Sequence, residues 1–255
     1  MTARLKLLMS AYACRPGKGS EPEIGWQWAL QMARFHDVTV FTRTKNRAAI
    51  EERLGQIKDL QPLPVFKYHE SHRVLLRLKP YLNFLRIYYI FWQRSVRREI
   101  STLLRGDRFD LLHHVTFSSY RYPTAIWQHG IPSIWGPIGG IESVPSAFLP
   151  RRRPQALFYE VVRGTHNLLQ DSWLGTLSKR AKLSNLTIAC TEEMDRALRN
   201  LGVEAKLMSS AGIVPAEFPE RRLALSSGSP VEADCCRAKS EGDCWPSPIG
   251  KVASR

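Results

Sequence analysis

The sequence predicts an α/β protein built on a doubly wound, mostly parallel sheet, followed by an irregular C-terminal tail. Three observations predict it. Leu5 to Ser10 is a short apolar run that opens onto a glycine-bearing loop, a helical stretch and then the β-branched run V-T-V-F-T at Val38 to Thr42. The same alternation of short apolar runs and helical stretches continues to about residue 208. It stops near Arg222, where Ser, Gly, Pro, charge and three cysteines take over.

The elements follow in order. Leu5 to Ser10 reads as a buried strand, and Ala13 to Ser20 as a loop carrying Pro16, Gly17 and Gly19. Glu21 to Phe35 fits a helix that packs through Ile24, Trp28, Ala29, Met32 and Ala33. After the strand Val38 to Thr42 come a helix at Asn46 to Leu54 and a strand at Val65 to Tyr68. Val74 to Leu104 is helical with an interruption near Pro80. Leu111 to Val115 is a strand, Tyr122 to His129 a short helix starting near Pro123, and Ile134 to Trp135 a strand remnant. Gln155 to Leu183 is mostly helical, Leu186 to Cys190 a strand, Glu192 to Leu201 a helix and Ala205 to Met208 the last strand. One domain over 1–221 and an irregular tail over 222–255 are expected.

The 255 residues carry 37 Lys and Arg against 23 Asp and Glu, a net charge of +14. That balance favours phosphate-bearing partners or an anionic membrane surface. Nucleic acid is not expected, since no helix-turn-helix, RNA-recognition or zinc module accompanies the charge. The cysteines, Cys14, Cys190, Cys235, Cys236 and Cys244, form no C-x-x-C pair and no metal signature. Their odd number without a framework suggests a reducing, cytoplasmic setting.

The loop Gly17-Lys18-Gly19-Ser20-Glu21-Pro22-Glu23 lies between strand and helix. Its glycines permit close ligand approach, and the helix start offers free N–H groups that suit phosphate. Glu21 and Glu23 partly oppose an anion there. A plainer reading has Ser20 and Glu23 forming an S-x-x-E capping box. The loop is no Walker A motif, and Pro22 replaces the third glycine of G-x-G-x-x-G, which argues against a dinucleotide dehydrogenase.

Two more loops follow strands. In D-L-L-H-H-V-T, strand alternation puts His113 and His114 on opposite faces, so at most one meets a given site. A histidine at a strand end can orient a hydroxyl or move a proton. Thr116, Ser118 and Ser119 can hydrogen-bond a polyol. The third loop, G-P-I-G-G-I-E at Gly136 to Glu142, combines a proline turn with the paired glycines Gly139 and Gly140. Loops 13–21, 114–121 and 136–142 should line one crevice at the carboxyl edge of the sheet.

The opening segment, a strand followed by A-C-R-P-G-K-G-S-E-P-E-I-G-W, a helix and H-D-V-T-V-F-T, resembles the start of family 4 glycosyltransferases. The D-L-L-H strand and the G-P-I-G-G-I-E string are similar to the same family. The resemblance implies the Rossmann-like N-terminal, acceptor-side domain of a GT-B enzyme. It implies Gly17, Gly19, Ser20 and Glu21 near the donor phosphates and His114, Gly139, Gly140 and Glu142 around the acceptor. His114 and Glu142 are the implied catalytic candidates, because Gly136 and Pro137 stand where many members carry a histidine. No metal or cofactor is implied, the nucleotide-sugar being the donor substrate. The expected partners are that nucleotide-sugar and a glycan or lipid-linked acceptor.

Arg73 to Arg98 interleaves aromatic and basic residues, and Arg151-Arg152-Arg153 adds a second basic cluster. Such a pattern suits peripheral contact with an anionic membrane, or a core helix with a solvated basic face. The family's donor domain carries an E-x7-E pair that this sequence lacks. Reading Val231 to Cys244 one nucleotide later permits an apolar run followed by G-R and K-G, similar to the start of that domain. The sequence-based expectation is therefore a frameshifted or truncated chain, weak or inactive alone. The alternative is a non-catalytic acceptor- or membrane-binding module that partners a separate donor-domain chain.

Overall fold

A computed structural model describes residues 3–71, 84–142, 158, 162, 164–165 and 176–210. The chain divides into two units, Met1–Gly212 and Ile213–Arg255, and every described residue belongs to the first. The helical stretch before residue 84, the Pro80 interruption, the Arg151 cluster, most of 155–183 and the tail lie outside the described residues.

The elements run β1 (Lys6–Ser10), α1 (Ser20–Ala33), β2 (Asp37–Arg43), a 3-10 turn (Thr44–Asn46), α2 (Arg47–Gln56), β3 (Val65–His69), α3 (Phe84–Gly106), β4 (Leu111–His114), β5 (Ser133–Ile138), α4 (Thr176–Ala181), β6 (Leu186–Ala189), α5 (Glu192–Asn200) and β7 (Ala205–Leu207). The strands form one parallel sheet in the order β3-β2-β1-β4-β5-β6-β7. Leu8 pairs with Thr39 on one side and Leu112 on the other. The winding reverses between β1 and β4, and ligands of open α/β sheets bind beyond the carboxyl ends at such a point. The sequence-based fold class is therefore observed.

Parallel strands covered on both faces read as apolar runs, and β1 shows why. Leu7 and Met9 point into a core with Trp26, Ala29, Val38, Val40 and Ile50. Leu8 points the other way, into a core with Tyr88, Tyr89, Trp92, Val96, Ile100 and Leu112. Tyr88, Tyr89, Trp92, Val96 and Ile100 recur at helical spacing on α3 and form its buried stripe. Their large rings supply much of the second core.

One element is corrected. Tyr122 to His129 forms turns and no helix. The Ala125 N–H donates to Gln93 Oε1 at 2.7 Å, and the His129 ring Nε2–H donates to the Ala125 carbonyl at 2.9 Å. These side chains replace the backbone ladder a helix would need.

Candidate functional site

The site is built at the carboxyl edge from the loops after β1, β4 and β5. In the first loop Gly17, Gly19 and even Ser20 take positive φ, at 70°, 67° and 52°. The expected capping box is not formed, since no side chain caps α1. Instead Glu23 reaches back past Ser20, and its Oε2 accepts the Gly17 N–H at 2.7 Å while Oε1 accepts from Gln27 at 2.9 Å. The left-handed turn at Gly19 and Ser20 turns the loop so that Gly17, not Ser20, meets the carboxylate. Gly25 then lets α1 press on the loop, because a Cβ there would sit 2.1 Å from the Ala13 carbonyl oxygen. The sequence reading missed Gly25, although it stands within the quoted opening motif.

Hydrogen bonds lace the three loops together. The Glu21 carboxylate accepts the Ser118 N–H at 2.8 Å and the Ser118 hydroxyl at 3.2 Å. Ala13 N–H donates to Thr116 Oγ1 at 3.0 Å. Gly139 N–H donates to the Ser118 carbonyl at 2.7 Å, and Tyr120 N–H to the Gly139 carbonyl at 3.2 Å. The stretches around Gly19, His114 and Gly139 therefore share one edge of the molecule.

The two histidines point to opposite faces, as alternation requires, yet both are buried at 2% exposure. His113 meets the edge of Trp28 at 5.1 Å, and its Nε2 donates to the Gly136 carbonyl at 2.9 Å. His114 faces α3, with Nε2 3.5 Å from the Tyr89 hydroxyl. Burial pushes His113 down to about 4 against the Gly136 hydrogen bond. Burial and then neighbouring His113 push His114 down to about 3. Both rings are neutral near pH 7, and His114 lies under the second loop.

Glu142 is a clamp within the third loop. Its Oε2 accepts the Gly140 N–H at 2.6 Å, and Oε1 accepts from the Thr191 hydroxyl at 2.9 Å. Thr191 also caps α5 by accepting the Met194 N–H. Gly139 has no room for a side chain, since a Cβ would lie 2.5 Å from Cys190 Sγ and 2.9 Å from Glu142 Oε1. Arg121 fixes the next carbonyl, that of Gly140, at 2.7 Å.

The sequence reading also missed Arg43 at the end of β2. Its side chain is 4% exposed, its guanidinium lies 5.0 Å from the Tyr12 ring centroid and 5.3 Å from that of Tyr88, and its Nε is 3.5 Å from Glu70. The Tyr88 hydroxyl donates to the same Glu70 oxygen. The Tyr12 hydroxyl is buried with no hydrogen-bond partner among the described residues. The only signal in the sequence was an arginine directly after the β-branched run Val38 to Thr42.

A cavity of about 220 Å³ lined by Lys6, Asp37, Pro62, Val65 and Arg108 lies at the opposite, amino edge of the sheet. Among the described residues no helix is long and apolar enough to cross a membrane.

Three comparisons bear on identity. The family model for Glycosyltransferase Family 4 matches residues 26–209. Among curated proteins nothing matches. Among solved structures, Arabidopsis thaliana UGT89C1 complexed with quercetin aligns at TM-score 0.47 and 12% identity, covering 84% of this chain and 54% of that one. The same enzyme complexed with UDP-L-rhamnose aligns at 0.45 and 13%, over 86% and 55%. The glycotransferase of kitacinnamycin aligns at 0.42 and 15%, over 88% and 56%. The chain thus spans little more than half the length of each. The family match covers well over half of the 255 residues, and on it the chain belongs to glycosyltransferase family 4.

Proposed function

We propose that this chain supplies the acceptor-side wall of a retaining glycosyltransferase site. The complete site transfers a sugar from a nucleotide-sugar to a glycan or lipid-linked acceptor. One observation carries the reading: three loops from separate strands are hydrogen-bonded into one surface at the carboxyl edge, through Glu21, Ser118 and Gly139. That edge is where an open α/β sheet binds its ligands.

Within this reading Gly17, Gly19, Ser20 and Glu21 face the donor phosphates. Gly139 and Gly140 bring backbone close to the acceptor. His114 and Glu142 act by holding those loops: the neutral His114 supports the second loop from below, and Glu142 ties the third loop to Thr191. Catalysis needs donor and acceptor held together, so this wall alone turns over poorly. The exposed face of α3 carries Arg86, Ile87, Phe91 and Arg94, with the Arg94 guanidinium 6.0 Å from the Phe91 ring centroid. That mixture supports peripheral contact with an anionic membrane.

The test is transfer in trans. The chain is mixed with a separately produced family 4 donor domain, a labelled nucleotide-sugar and a panel of glycan and lipid-linked acceptors. Label moving to an acceptor only when both proteins are present supports the reading. Acceptor binding without transfer favours the non-catalytic module.

A further inference from the structure

We propose that Arg43 and Lys45, with Lys18 and Arg15 from the neighbouring loop, form a phosphoryl-binding subsite at the outer end of the acceptor wall, so that the acceptor carries a phosphate. The inference rests on the acceptor-wall reading for the word acceptor, and on its own residues for the word phosphoryl.

Arg43 closes β2, and Lys45 lies in the turn that follows. Arg15 and Lys18 lie in the loop after β1, which pairs with β2 through Ser10 and Phe41. All four leave the carboxyl ends of adjacent strands, on the edge where the laced loops lie.

The construction of the Arg43 site points the same way. Buried charges are ordinarily paired and fully hydrogen-bonded. Arg43 is buried, yet its sole ionic partner among the described residues is Glu70, which meets Nε at 3.5 Å without a hydrogen bond. Glu70 is shared with the Tyr88 hydroxyl. The two terminal nitrogens of Arg43 make no hydrogen bond to any described residue. Two aromatic rings hold the guanidinium in place. A fixed planar fork with unused donors matches a phosphoryl group.

Charge agrees. Lys45 is exposed, so a ligand can reach it. Partial burial of its ammonium, then the proximity of Arg43 and Lys18, lowers it to about 8; Glu70 opposes and Arg15 adds to the lowering. Arg43, Lys18 and Arg15 thus make the surroundings of Lys45 positive, and Glu70 opposes them. The nearby carboxylates of Glu21 and Glu23 are occupied by Ser118 and by Gly17 and Gln27. A dianion fits this excess better than a carboxylate does.

The experiment titrates the whole chain, at low ionic strength and pH 7, with inorganic phosphate, a hexose phosphomonoester, the unphosphorylated hexose and a nucleoside diphosphate. We expect the phosphomonoester to bind at least about tenfold more tightly than the hexose. Lys18→Gln and Lys45→Gln should each weaken it about threefold to tenfold with unchanged unfolding curves, and Arg43→Lys should weaken it more. If Arg43→Lys fails to fold, the two exposed lysine variants still decide the matter. Affinity for phosphomonoester that is equal to that for hexose, or unchanged in the lysine double variant, overturns the subsite. A nucleoside diphosphate that displaces the phosphomonoester and loses affinity in the same variants assigns these residues to the donor and overturns the acceptor assignment. Transfer to an unphosphorylated acceptor without phosphate binding sinks the subsite and leaves the acceptor wall. Phosphate binding at these residues without transfer in trans does the reverse.

Discussion

The carboxylate of Glu21 holds both the backbone N–H and the hydroxyl of Ser118, at 2.8 and 3.2 Å, across 97 residues of chain. This pair joins the glycine loop to the loop after β4. Hydrogen bonds to an ionised group contribute about 1.5–3 kcal/mol when buried. Both residues are only half-buried here, so Glu21→Ala should destabilise by about 1–2 kcal/mol in urea unfolding. Glu21→Gln should lose less, because the amide oxygen still accepts. Equal losses for the two variants would show that the carboxylate does not clamp Ser118.

At Gly25 and Gly139 an added methyl group meets a neighbouring atom closer than 3 Å. A Cβ on Gly25 meets the Ala13 carbonyl at 2.1 Å, which is backbone and cannot swing away. On Gly139 it meets the Cys190 sulfur at 2.5 Å. Overpacking of this kind costs about 1–3 kcal/mol. We expect Gly25→Ala to lower the thermal midpoint, and Gly139→Ala to do so less, since the Glu142 side chain can adjust. Gly55→Ala, in open space on α2, should be neutral or stabilising and serves as the control.

Much of this was legible in the sequence because buried parallel strands announce themselves as short apolar runs, and the loops that matter follow them directly. The alternation of His113 and His114 was readable for the same reason. Tyr122 to His129 misled because Pro123 and the spaced apolar residues imitate a helix start. What decides that segment is Gln93, some thirty residues away on α3, which takes the Ala125 N–H. The S-x-x-E string matched a capping box, but the left-handed Gly19 and Ser20 hand Glu23 to Gly17 instead. Arg43 was invisible as a site because its meaning comes from Tyr12, Tyr88 and Glu70, which only the fold brings to it.

The buried histidines set an acid limit on stability. Their folded values, about 4 for His113 and about 3 for His114, lie below the ordinary 6.5. The unfolded chain therefore takes up protons first as pH falls. The stability these two neutral rings contribute is fully present above 6.5 and is lost as pH drops toward 4 and then 3. Each contributes a slope of roughly 1.4 kcal/mol per pH unit inside that window. Unfolding free energies at pH 7, 6 and 5 should fall more steeply for the natural chain than for the His113→Gln/His114→Gln variant. Parallel slopes would mean the rings protonate in the folded state.

Cys14 is fully buried, and burial pushes its thiol far above the ordinary range, with Glu23 adding to it. Cys190 is half-buried and raised by burial and by Glu142. A thiolate-selective alkylating reagent at pH 8 should leave Cys14 unmodified in the folded chain and label it only after denaturant is added. Peptide mapping that finds Cys14 labelled at the rate of a free thiol would contradict the packing of the first loop against α1.

The central claim is that the loops after β1, β4 and β5 form one ligand-facing wall at the carboxyl edge. Amide hydrogen exchange, measured on the chain with and without a nucleotide-sugar and an acceptor in the presence of the donor domain, tests it most directly. Slowed exchange is expected in residues 13–20, 116–121 and 139–142 together, with little change at the amino edge around Asp37 and Arg108. Slowing confined to the amino edge, or to one of the three loops alone, would contradict the claim.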